Sequence, residues 1–149
     1  MSEESAVRID APPRHLWVVG VLALLWNAMG AFDYLMTQTR NESYMANFTP
    51  EQLEYFYGFP TWVVAFWALA VWGGVLGTIL LLMRKRLAVG VFLLSFVSMV
   101  ITSFHNFVLS NGMEMVGGVG PLIFSVVIFF VALGLWIYSR AMAQQGVLS

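Results

Sequence analysis

Four long apolar runs, Leu16 to Met36, Pro60 to Met83, Leu87 to Leu109 and Gly118 to Tyr138, hold most of the chain and push nearly every charge into the gaps between them. A helix rises about 1.5 Å per residue, so about 20 apolar residues cross a bilayer core about 30 Å thick, and each run has that length. Backbone in hydrocarbon must satisfy its own N–H and C=O groups, which makes helices the form these runs take. The expected fold class is therefore all-α. It is a polytopic membrane protein, a single membrane domain over 1–149, with a four-transmembrane-helix bundle at about 16–36, 60–83, 87–109 and 118–140.

Composition excludes most other classes. Hydrophobic residues are 60% of the chain and charged ones 10%, too little polar surface to clothe a water-soluble domain of 149 residues. The lipid bilayer is the first partner this implies. A net charge of −1 supplies no field for nucleic acid, and the absence of cysteine removes disulfides and thiolate metal sites. His15 and His105 belong to opposite ends of the bundle and cannot share a haem. No metal site, cofactor or catalytic constellation is expected, and hence no enzyme.

Lys and Arg in short loops resist translocation and report orientation. Arg8 and Arg14 precede the first run, Arg84-Lys85-Arg86 separate the second and third, and Arg140 ends the fourth; four crossings put all of them on one side. Arg40 stands opposite, with Glu42, Glu51, Glu54 and Glu114. Both termini are expected in the cytoplasm.

The basic triplet predicts a tight hairpin between the second and third helices. The outer connection is longer and carries a helix start at Phe48-Thr49-Pro50-Glu51-Gln52-Leu53. Thr49 reads as N-cap, Pro50 as first-turn residue, Gln52 as the other half of a capping box, and Phe48 against Leu53 as a staple. The resulting short amphipathic helix, about 50–57, either rests on headgroups or covers an outward-facing cavity. Both readings stay open here.

The second run holds Ala70, Gly73, Gly74 and Gly77, small residues at the spacing that lets helices approach closely in lipid. They predict helix packing, within one chain or between copies. The third run carries Ser95, Ser98, Thr102, His105 and Asn106 within about 100° of arc, with Val97, Val100, Phe104 and Val108 on other faces. Such a stripe turns into the bundle, either as interhelical glue or as the wall of a solute path. In the first run Trp26-Asn27 falls near mid-depth. An unpaired amide costs several kcal/mol in hydrocarbon, so Asn27 needs a partner, for which Ser95 and Ser98 are candidates at similar depth. A sugar could stack on Trp26 and bond to Asn27. Together Trp26, Asn27, Ser95, Ser98, Thr102 and Asn106 form the candidate substrate site. Asp33 and His105 reach similar depth near the outer interface, where they could meet as a proton- or ion-coupling pair.

Leu24-Leu25-Trp26-Asn27-x-x-Gly30, Tyr34, Pro60-x-Trp62, Ala70-Val71-x-Gly73-Gly74-x-x-Gly77, Leu80-Leu81-Leu82-x-Arg84 and Phe92-Leu93-Leu94-Ser95 make the chain resemble a group of small four-helix bacterial inner-membrane proteins commonly labelled sugar transporters. The resemblance runs from Leu16 to Arg140 and implies a bacterial inner-membrane location and a four-helix fold; it brings no set of sugar-binding residues. The chain lacks the Pro-Gln pair of small three-helix sugar transporters and the mid-helix carboxylate of small multidrug exporters. The expected function is a small sugar or small-solute transporter acting as a homo-oligomer, because four helices enclose little space. The rival is a non-transporting scaffold or accessory subunit of a larger complex.

Overall fold

Pro13 and Pro60, in extended backbone, each stand immediately before a long helix and set its direction. In the computed structural model, which describes residues 12–109 and 119–149, these helices are α1 (Arg14–Gln38) and α4 (Thr61–Leu82). Between them lie α2 (Glu42–Met45) and α3 (Pro50–Tyr57). Beyond them come α5 (Leu87–Phe104), prolonged by a π-helical turn over His105–Leu109, and α6 (Val119–Gln144). Four of these helices are long and apolar enough to cross a membrane. No strand is present among the described residues. Arg8, Glu114 and Gly118, which entered the orientation and boundary arguments, lie outside them.

The loop helix forms as its local chemistry dictates. Thr49 Oγ1 accepts from the Gln52 N–H at 3.2 Å, and the Thr49 N–H donates to Gln52 Oε1 at 3.0 Å, closing the capping box with Pro50 in the first turn. Phe48 packs edge-on against Phe56 at 5.3 Å, one turn beyond Leu53.

The hairpin after α4 turns at Arg84, whose φ of 59° lies in the left-handed region, and Lys85 N–H returns to Leu80 O at 2.8 Å. Residues 145–149 fold back onto this turn: Arg84 Nε donates to Val147 O at 3.0 Å, and Ser149 N–H to Arg84 O at 3.0 Å. Val147 and Leu148 thereby join a buried cluster with Leu16, Leu81, Ala88, Phe92, Leu135 and Met142. This cluster closes the Arg84 end of the bundle.

α4 packs on both α1 and α5, and α5 packs on α6. The small residues of α4 are what allow this. A β-carbon at Gly74 would lie 2.8 Å from Asn27 Cγ of α1, one at Gly73 would lie 3.1 Å from Ser95 Cβ of α5, and one at Gly77 would lie 2.8 Å from the Phe92 ring of α5. These glycines are therefore sites of close helix packing within the chain. α1 and α6 are not a tight pair; they meet in the buried cluster, in ring contacts of Trp26 with Phe124 at 5.8 Å and His15 with Tyr138 at 5.6 Å, and in a hydrogen bond between His15 Nδ1 and the Tyr138 hydroxyl. The outside of the bundle is apolar along its length, with Val18, Leu22, Leu25, Ile123, Phe130 and Ile137 all about half exposed or more.

Candidate functional site

Because α1 and α6 stand apart while α4 and α5 are drawn close, the four long helices leave a cavity of about 510 Å³ between them. Trp26, Asn27, Gly30 and Asp33 face it from α1, and Trp67, Ala70, Val71 and Gly74 from α4. Ser95, Met99, Thr102 and Ser103 of α5, with Asn106 and Phe107 of the π turn, form a third wall; Phe124, Ser125, Ile128 and Ala132 of α6 form the fourth. Phe92 and Leu135, members of the buried cluster, are its floor. The four long helices of one chain thus line a space not expected of them from the sequence.

The end remote from Arg84 is roofed by the loop. Tyr44 of α2, Tyr55 and Phe56 of α3, and Phe59 all contribute to the cavity wall. Tyr55, Phe59 and Trp67 form an edge-to-face series, Tyr55 to Phe59 at 5.2 Å and Phe59 to Trp67 at 6.1 Å. Side-chain hydrogen bonds tie the roof to the helices. The Tyr44 hydroxyl donates to Asp33 Oδ1, and the Tyr55 hydroxyl to Asn106 Oδ1 at 3.4 Å. Of the two readings of the loop helix, the cover over a cavity matches this placement.

No family model, curated protein or solved structure matches the chain. The site is therefore read from its own geometry.

The polar stripe of the third run divides. Ser95, Thr102 and Asn106 line the cavity, while Ser98 is 1% exposed with no hydrogen-bond partner for its hydroxyl among the described residues. His105 is buried and stands between the rings of Phe59 and Trp62, at 5.8 and 5.5 Å, with Nδ1 3.1 Å from Asn106 Oδ1. Asp33 is bonded by Tyr44, where the sequence suggested His105. Equal depth along two helices fixes height and leaves direction around each axis open. The π turn also re-aims the end of α5, a device that recurs at functional sites.

Asn27 finds its partner on a helix expected to be pure packing. Its Nδ2 donates to Ala23 O at 2.9 Å and to Thr78 Oγ1 of α4 at 3.1 Å; Thr78 in turn donates to Gly74 O at 2.7 Å. Ser95, one of the candidates for that role, instead donates to Ala70 O at 2.5 Å, and Thr102 donates to Met99 O at 2.9 Å. Sequence reasoning missed Tyr44, Tyr55, Trp67, Thr78 and Ser125. Thr78 and Ser125 carried a signal, as single hydroxyls in long apolar runs, whereas the aromatic residues are indistinguishable from interfacial anchors until the loop is folded. Among the described residues no cluster of His, Asp and Glu could hold a metal ion.

Proposed function

We propose that the protein is a multi-pass membrane protein that carries a small solute through the cavity between its helices. The observation that carries this reading is the cavity itself: about 510 Å³, within the size range of small-molecule sites, with carboxylate, amide, hydroxyl and aromatic groups converging on it from four helices and the loop. The apolar outside of the bundle supports insertion in lipid. The orientation we propose puts the Arg84 end, with Arg14, Lys85, Arg86 and Arg140, in the cytoplasm, and the loop roof outside. A bacterial inner membrane is the setting that the sequence resemblance favours.

In this state the roof is tied down by Tyr44 and Tyr55, and the Arg84 end is closed by the buried cluster. In this reading the outer route runs past the loop, and the route to the other side runs past residues 145–149 and the cluster. What favours the carrier over the scaffold reading is the cavity; the small residues of α4, at Gly73, Gly74 and Gly77, pack against Ser95, Asn27 and Phe92 of the same chain.

Uptake into proteoliposomes tests this. A panel of sugars, amines and amino acids should include at least one solute taken up faster than by empty vesicles, and Ala132→Phe, which fills the cavity from α6, should abolish that excess. No uptake of any panel member would favour the scaffold.

A further inference from the structure

We propose that the solute held in this cavity is an organic cation, a quaternary or protonated amine bearing apolar groups. The assignment rests on reading the cavity as a solute site, and it follows from a carboxylate and aromatic rings in the lining, together with amide and hydroxyl oxygens whose own hydrogens are spent on the protein. Asn27 spends both amide hydrogens on the protein, and the hydroxyls of Ser95 and Thr102 are spent on backbone carbonyls. What these groups still offer is oxygen lone pairs. A cation asks a site for acceptors alone, which is what Asn27, Ser95 and Thr102 present.

Asp33 gives the cavity its negative charge. It lines the wall, and among the described residues it accepts a hydrogen bond from the neutral Tyr44 hydroxyl and forms no ion pair with Lys or Arg. A part-buried carboxylate with no Lys or Arg beside it keeps an unspent attraction for positive charge. Tyr55, Phe59 and Trp67 stand at the same end of the cavity, and aromatic faces attract cations through their quadrupole; cages of such rings recognise quaternary ammonium groups. The approach is biased the same way. Glu42, Glu51 and Glu54 are exposed on the roof, and the arginine there, Arg40, is stacked over Tyr57 at 4.3 Å.

The test uses the full chain in uncharged detergent micelles with three probes: benzyltrimethylammonium, its uncharged isostere neopentylbenzene, and glucose. Binding is read by equilibrium dialysis against protein-free micelles and by the fluorescence of Trp26 and Trp67. The ammonium should bind at least about tenfold more tightly than the isostere, and glucose should not bind; Asp33→Asn should weaken ammonium binding about tenfold, and Trp67→Leu about fivefold. Equal affinity for ammonium and isostere overturns the assignment, as does unchanged ammonium binding in a folded Asp33→Asn. Should that variant not fold, the ammonium-to-isostere ratio in the unaltered protein and the Trp67→Leu effect decide the matter. Glucose binding without ammonium binding overturns the cation and leaves the carrier reading standing. Binding of none of the three also overturns it, and the proteoliposome panel then judges the carrier reading separately.

Discussion

Asn27 of α1 donates to Thr78 of α4 in the space that Gly74 leaves by having no side chain. One glycine thus admits an amide to the interface, and one threonine, itself bonded to Gly74 O, satisfies it. A double-mutant cycle with Asn27→Leu and Thr78→Val, read by reversible unfolding in micelles, should give a coupling energy of about 0.6 to 2 kcal/mol, the range for interhelical hydrogen bonds in lipid. Zero coupling would mean that the two side chains do not meet.

The glycines of the long helices should respond unequally to alanine. At Gly77 a β-carbon would stand 2.8 Å from the Phe92 ring, and Gly77→Ala should cost about 1 to 3 kcal/mol through overpacking, with part of the loss recovered by adding Phe92→Leu. A β-carbon at Gly90 or Gly134 would meet no neighbour within 4 Å among the described residues, so alanine there should be neutral or stabilising by up to about 1 kcal/mol through helix propensity. Thermal unfolding of the three single variants ranks them directly. Equal effects at 77 and 90 would contradict the α4–α5 contact.

How much of this was legible in the sequence depends on the range of the interaction. The capping box at Thr49 and Gln52 was readable because all its partners lie within four residues, and the long helices because length alone identifies them. The partner of Asn27 was not. In lipid the outward face of a helix is as apolar as the packed one, so periodicity does not say that Thr78 looks toward α1. Nor does any Pro or Gly mark the π turn at His105, which separates His105 from Asn106 in what they face. The polar stripe of α5 was therefore legible as a set, and its division between cavity wall, buried hydroxyl and aromatic wedge needed the fold.

The turn at Arg84 separates a backbone effect from a side-chain one. Its left-handed φ of 59° is costly for any residue but glycine, yet its guanidinium Nε holds Val147 O and with it residues 145–149. Arg84→Ala and Arg84→Gly both lose that bond, but only alanine keeps the strained φ. The glycine variant should be the more stable of the two by about 1 kcal/mol. Limited proteolysis of residues 145–149 should rise in both variants relative to the unaltered protein, because the lost bond is common to them.

Tyr44 provides a pH signature for the roof. Burial first, then the hydrogen bond to Asp33 and its charge, push the hydroxyl from 10.0 up to about 12. The folded protein then holds this proton more tightly than the unfolded chain does. The stabilisation is whole below pH 10.0 and is lost as pH rises through about 12. The difference between phenolate absorption titrations of the unaltered protein and Tyr44→Phe isolates this one of five tyrosines, and its transition should lie near pH 12. Asp33→Asn should lower it, though not to 10.0, since burial, the larger cause, remains. A Tyr44 transition at its ordinary value in the unaltered protein would show that the loop is not tied to Asp33, and the roof would then rest on Tyr55 and on the ring contacts of Phe59 with Trp67 and His105.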